Sequence, residues 1–428
     1  MTNPKPGDRV KVIADKEYEG VLMPNEETDS VVVKLDNGYN VGIEKGKVRE
    51  IKLVKKHEEK ASKKEKHVHK KGLKTISILH TGGTIASKVD YEAGGVVASF
   101  TAEDLIAKFP EIEQTANIRS VLVSNMMSED MTFSDHKKIA EAIKKEIKEG
   151  TDGVIVGHGT DTLAVTSASL AFMFEKINIP ILLVGAQRSS DRGSTDAALN
   201  LICAARFIAK TDFAGVALCM HDSSDDNKCA ILPATKTRKL HTSRRDAFRA
   251  INDTPIATVD FNTKKIEFIK EDYPKKSKEP FVMKDKLEEK VAVIRTYVSM
   301  KPDMIEALTK KGYKGLVLEA TGIGQAPTNT EPNLPNYEAL KKFITNDGVV
   351  VLTSQCLFGR VHKDIYKNCR RLAEIGVIFG EDMLTDTAYV KLAWLLANFS
   401  REEAKELVTK NLRGEINERT SVEEFLKD

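Results

Sequence analysis

The chain has 428 residues, 41% of them hydrophobic, which is too much for one ordinary core and predicts two or three domains. Its 66 basic and 63 acidic side chains leave a net charge of +3, which argues against a protein coated in positive charge for nucleic acid; any RNA contact must be local. No apolar run reaches the roughly 18 residues of a membrane span, and Met1 to Lys16 lacks the apolar stretch of a signal peptide, so a soluble cytoplasmic protein is expected. The five cysteines, Cys203, Cys219, Cys229, Cys356 and Cys369, are odd in number and lack C-x-x-C spacing. They point to reduced thiols rather than to a disulfide framework or a zinc site.

Residues 1–54 read as short alternating strands: Arg9 to Ile13, Tyr18 to Met23, Ser30 to Leu35, Tyr39 to Ile43 and Val48 to Leu53. Asp36-Asn37-Gly38 falls between two of them, and glycine after asparagine supplies the positive φ of a tight hairpin. A small all-β barrel, SH3-like or Sm-like, is predicted. Residues 55–74 carry nine Lys, three Glu and three His and form no core, so they are a charged linker. His57, His67 and His69 lie there without acidic or cysteine partners at metal-ligand spacing, and no metal is expected.

From Thr75 the pattern becomes short apolar runs alternating with amphipathic stretches, the signature of a mainly parallel α/β sheet with crossover helices. Buried strands are predicted at Ile76 to Leu79, Gly153 to Val156, Ile181 to Val184 and Val216 to Met220, with helices at His136 to Lys148 and Ala197 to Ala209. A second set has strands Val291 to Arg295, Gly315 to Leu318 and Val349 to Leu352, and helices Met304 to Lys311, Tyr337 to Phe343 and Ala388 to Leu396. Ser400 with Glu403 reads as a capping box for the last of these. The lysine-rich stretch Asp272 to Glu289 marks the boundary, giving an N-terminal α/β domain with the active site over 75–280 and a C-terminal one over 281–428.

Two glycine turns follow buried strands directly: Thr81-Gly82-Gly83-Thr84-Ile85-Ala86 and His158-Gly159-Thr160-Asp161-Thr162. Ligands of open α/β sheets bind beyond the carboxyl ends of the strands, and glycines there admit a substrate to the backbone. Either turn alone is readily structural; two hydroxyl-rich turns facing each other are harder to dismiss. A threonine nucleophile needs a base, and the loop Thr235-Lys236-Thr237-Arg238-Lys239-Leu240 offers lysines beside other cations.

Together these motifs resemble the L-asparaginase/glutaminase family over nearly everything from Thr75 onward. The resemblance implies an asparaginase-type, two-lobed α/β fold and hydrolysis of a side-chain amide. It makes Thr84 the nucleophile and Thr160, Asp161 and Lys239 its catalytic partners, Lys239 rather than Lys236 by counting back from Phe248. Gly83, Ser128, Glu129, Gly159 and Asp161 become substrate-binding positions, with Asp161 pairing with the substrate α-ammonium and backbone N–H groups of the Gly82-Gly83 and Gly159 turns serving as oxyanion donors. Two departures stand out. Glu129 replaces the glutamine of the family's Ser-Gln pair, and Val97 sits where ungapped counting expects the family's tyrosine, leaving Tyr91 on the same Ser87 to Phe100 lid segment.

An ordinary asparaginase needs neither the barrel nor the charged linker. Barrel, linker and asparaginase domain together resemble the D-subunit family of archaeal glutamyl-tRNA(Gln) amidotransferases. That resemblance implies ammonia release from glutamine or asparagine for a partner E subunit (GatE), which uses ATP and Mg2+ on glutamyl-tRNA(Gln). It also implies a homodimer core within a heterotetramer, and no cofactor bound by this chain. A free-standing L-asparaginase with an accessory barrel and a non-catalytic interaction protein with an asparaginase-like domain are the alternatives.

Overall fold

The computed structural model describes residues 4–23, 29–36, 40–56, 70–82, 87–90, 95–98, 110–188, 195–420 and 425, the pair 87–90 and 95–98 as backbone. The N-terminal strands Arg9–Ile13, Glu17–Met23, Ser30–Leu35, Asn40–Glu44 and Glu50–Lys55 form one antiparallel sheet, in which the third, second and first strands are central. Alternation along these strands sends Val10, Val12, Val33 and Ile43 into one small core. Gly20 is required there, because a Cβ would meet the Lys34 carbonyl oxygen at 2.1 Å. The predicted Asn37-Gly38 turn and the three linker histidines lie outside the described residues.

The first lobe is built on an eight-stranded sheet. Asn117–Leu122, Thr75–His80, Gly153–Gly157, Pro180–Val184 and Gly215–His221 run parallel, in that spatial order. Lys228–Pro233, Ala257–Asp260 and Ile266–Phe268 then extend the sheet antiparallel. The central strands Gly153–Gly157 and Pro180–Val184 are buried along their whole length because helices cover both faces. Ile76, Ile78, Ile155, Leu182 and Val184 pack on one side with Phe207 and Ile208 of helix Ala197–Lys210. Leu79, Val154, Val156, Ile181 and Leu183 pack on the other with Ile139 and Ile143 of helix Phe133–Lys148. That helix starts three residues before the predicted His136, because Thr132 and Asp135 close a capping box ahead of it.

The second lobe carries a parallel sheet of Val291–Arg295, Gly315–Ala320, Val349–Ser354 and Ile378–Phe379. The Ser400 and Glu403 capping box does not serve the helix Thr385–Asn398, as the sequence predicts; it opens a separate helix, Arg401–Leu407. The helix Thr385–Asn398 has already ended, its polypeptide turning extended at Phe399. Between the lobes, Val282–Met283 still pairs with Phe174–Lys176 of the first lobe. Trp394 stacks on Phe172 with ring centroids 5.8 Å apart, and its Nε1 donates to the Lys284 carbonyl at 2.9 Å. No helix among the described residues is long and apolar enough to cross a membrane.

Two buried carboxylates set an acid limit on this fold. Asp135 accepts from Lys138 Nζ at 2.9 Å and from Thr132, and the lysine in particular holds it down to about 2. Asp246 accepts from Arg244 at 2.8 Å and Arg249 at 2.7 Å, and is likewise held down to about 2, chiefly by Arg244. Each folded carboxylate binds its proton less readily than the unfolded one, whose pKa is 3.8, so the stabilisation is present above that value and is lost toward about 2. Denaturant melts across this window are expected to show each aspartate contributing on the order of 1–2 kcal/mol. Asp135→Asn and Asp246→Asn should each flatten the pH dependence.

Candidate active site

The site stands at the carboxyl ends of the adjacent strands Thr75–His80 and Gly153–Gly157, whose parallel register brings His80 opposite Gly157. Both turns therefore leave the sheet side by side. Thr81 ties them: its backbone N–H and its hydroxyl both donate to the Gly157 carbonyl, at 3.1 and 3.0 Å. Its own carbonyl accepts from Met126 N at 3.2 Å and from Ser124 Oγ at 3.1 Å. Gly82 follows with φ +107°, and a Cβ there would lie 2.3 Å from the Met126 carbonyl oxygen, so the turn admits glycine alone. Gly83, Thr84 and Tyr91 lie outside the described residues; Val97 pairs with Lys88 in the short hairpin Ser87–Asp90 with Gly95–Ala98.

In the second turn, a Cβ on Gly159 would sit 2.7 Å from both Cβ and Oγ of Ser128. The glycine thus lets the buried Ser128 close over the turn, and Thr162 Oγ1 fixes this approach by donating to the Ser128 carbonyl at 2.7 Å. Glu129, the next residue of the short 3-10 turn Ser128–Asp130, is exposed. Gly185, at the end of the neighbouring strand, makes room for Thr160, whose Cγ2 a Cβ would meet at 2.8 Å.

Lys239 completes the cluster. Its Nζ donates to Thr160 Oγ1 at 2.9 Å and to Asp161 Oδ1 at 2.8 Å. The Lys239 side chain is 16% exposed and that of Asp161 64%, so the carboxylate presents its outer side to solvent while the ammonium is mostly covered. Lys239 stands on a strand rather than in the predicted loop: Thr237–Lys239 pairs antiparallel with Phe248–Ala250, and Lys239 is directly opposite the buried Phe248. Of the two lysines, Lys239 is the one that meets Thr160 and Asp161. Lys236 points the other way, is fully buried, and donates to Asp382 Oδ2 of the second lobe at 2.5 Å. Lys236→Met would leave the buried Asp382 carboxylate without its close partner, with Arg360 at 3.9 Å as the remaining cation, and chemical denaturation should show a loss of up to about 3–5 kcal/mol.

Three histidines around the turns carry no role in the sequence reading. His158 is fully buried, and burial pushes its imidazole down to about 4. Its Nδ1 lies 2.7 Å from the Gly159 carbonyl, which can only accept, so Nδ1 bears the hydrogen and pins that peptide. Burial likewise lowers His80 to about 4 and His136 to about 3; their Nε2 atoms meet Ser120 Oγ at 2.9 Å and Thr166 Oγ1 at 3.1 Å. All three are neutral near pH 7. The position of His158 at the end of a fully apolar run was the available signal for a buried, uncharged ring. Among the described residues no group of three or more His, Cys, Asp or Glu is arranged to hold a metal ion.

Comparison with known proteins agrees with this architecture segment by segment. Residues 75–273 match the model of the asparaginase N-terminal domain, 290–408 that of the glutaminase/asparaginase C-terminal domain, and 4–54 that of the GatD N-terminal domain. The thermostable L-asparaginase from Thermococcus kodakarensis superposes with a TM-score of 0.72 at 30% identity, covering 81% of this chain and 100% of that one. The glutamyl-tRNA(Gln) amidotransferase D subunit of Pyrococcus furiosus is 46% identical over 98% of this chain and 97% of its own length. Its counterpart from Pyrococcus abyssi is 43% identical over 98% and 97%. With its N-terminal β domain, both asparaginase-type lobes and the lysine-bearing hairpin accounted for along its length, the chain belongs to the D-subunit family of glutamyl-tRNA(Gln) amidotransferases.

Proposed function

We infer that the chain hydrolyses the side-chain amide of glutamine or asparagine through Thr84 and supplies the ammonia to a partner E subunit. That partner would use ATP and Mg2+ to convert glutamyl-tRNA(Gln) to glutaminyl-tRNA(Gln). The observation that carries the reading is the convergence of Lys239 Nζ on Thr160 Oγ1 and Asp161 Oδ1. It occurs beside the Thr81-Gly82 turn that leads directly into Thr84.

In this mechanism the Thr84 hydroxyl attacks the carboxamide carbon and its proton passes through Thr160 and Lys239 to the departing nitrogen, which leaves as ammonia. Water then cleaves the acyl-threonine ester, releasing glutamate or aspartate and restoring the hydroxyl. Backbone N–H groups of the Gly82-Gly83 and Gly159 turns support the tetrahedral oxyanion. Asp161, with its outer side in solvent, receives the substrate α-ammonium, and Ser128 with Glu129 borders the same end of the substrate. Two copies of the chain form the core of a heterotetramer.

Ammonia release from glutamine and from asparagine is the test, measured for the purified chain alone and then with the E subunit, ATP and glutamyl-tRNA(Gln). Strong stimulation by the added components is expected. Full activity alone, indifferent to them, would instead make the chain a free-standing asparaginase with an extra β domain.

A further inference from the structure

Lys236 is built into the base of the hairpin that carries Lys239. Its carbonyl accepts from Ile251 N at 2.7 Å, closing the ladder of Thr237–Lys239 with Phe248–Ala250. Alternation along an extended chain sends Lys236 and Arg238 to one side and Thr237 and Lys239 to the other. The first pair reaches the second lobe: Lys236 donates to Asp382, and Arg238 pairs with Asp386. The second pair faces the first lobe: Thr237 Oγ1 donates to the Pro233 carbonyl at 2.6 Å, and Lys239 meets Thr160 and Asp161.

The other strand of the hairpin is held in the same way. Asn252, two residues beyond Ala250 and at φ +53°, donates to the carbonyls of Gly359 at 3.0 Å and Asp382 at 3.1 Å, and accepts from Gly359 N at 2.8 Å. Asp382 spends its remaining oxygen on Asn417 N at 3.0 Å. The hairpin is therefore clamped at both strands to the second lobe while its lysine is delivered to the first.

We propose that Lys236 is a positioning residue for Lys239, and that the second lobe, through Asp382, sets where the lysine stands over Thr160. An apolar pair of equal volume would hold the lobes together as well or better. What the directional ion pair adds is register, and proton transfer through hydrogen bonds is sensitive to misplacement of about 1 Å. The proposal rests on reading Lys239 as the proton relay.

Lys236→Met combined with Asp382→Asn removes both charges and leaves an oxygen at position 382 to accept from Asn417. Ammonia release by the full chain from glutamine and asparagine is then measured as kcat and KM, normalised to folded protein by circular dichroism. The expected result is a ten- to hundredfold fall in kcat with KM within about twofold. An unchanged kcat per folded molecule overturns the positioning role. Arg238→Gln, at a half-exposed pair, gives a second reading if the double variant fails to fold: kcat should fall at least threefold with KM steady, and an unaltered kcat again overturns the proposal. Lys239→Met separates the two levels. Full activity in that variant sinks the relay reading and this one with it; an inactive Lys239→Met beside an unimpaired double variant sinks the positioning role alone.

Discussion

Replacing Thr84 by valine is expected to abolish ammonia release from glutamine and asparagine, by roughly a factor of 10^4 to 10^6, while leaving the melting temperature within a few degrees. The exchange puts a methyl where the hydroxyl was and preserves branching at Cβ, so backbone preference is kept and only the nucleophile is lost. The turn before it is fixed independently of that side chain, by the bonds of Thr81 to Gly157, Ser124 and Met126 and by the close approach of Gly82 to Met126. A coupled ammonia assay at saturating glutamine, paired with a thermal melt, gives the answer. Turnover that survives in a folded Thr84→Val chain would move the nucleophile elsewhere.

Lys239→Met is expected to lower kcat by about 10^2- to 10^4-fold, the usual range for removing a positioned proton-transfer group. Its effect on stability should stay within about 1 kcal/mol, because the partner it abandons, Asp161, is 64% exposed and is rescued by water. Lys236→Met predicts the opposite pattern in stability, since Asp382 is 1% exposed and has no such rescue. Two lysines three residues apart in the sequence are thus told apart by one denaturation series and one rate measurement. A Lys239→Met variant with normal turnover would refute the relay; one that unfolds would show that the exposed side of Asp161 counts for less than its geometry implies.

The parallel half of the first lobe was legible because buried strands there alternate between two apolar faces, as at Val154, Ile155 and Val156, and leave near-continuous apolar runs. The antiparallel extension was not. Ala257–Asp260 and Ile266–Phe268 are short and partly exposed, and their Thr, Asp and Glu read as loop. The same limit hid the strand under Lys239: Thr237-Arg238-Lys239 has no apolar residue, and it is a strand because Phe248 and its neighbours pair with it. Tertiary pairing supplied what propensity could not. The glycine turns and the choice of Lys239 followed from motifs, whereas the partner of Lys236 lies 146 residues away and no local pattern announces it. His158 was visible as a letter of the motif; that its ring is neutral and pins the Gly159 peptide depends on complete burial, which sequence does not disclose.

The seam between the lobes bears on how such a chain is inherited. The two asparaginase-type matches stop at 273 and resume at 290, as though a cut between them would be harmless. Yet that interval contributes Val282–Met283 to a ladder with Phe174–Lys176 and the Lys284 carbonyl to Trp394, the largest fully buried side chain of the second lobe. The spacer is thus a shared wall, owned by neither half. Recombination or gene fission within it would expose apolar surface on both products, so the lobes travel together as one heritable unit, whereas the N-terminal β domain, with a small core of its own, can be gained or shed at the lysine-rich joint.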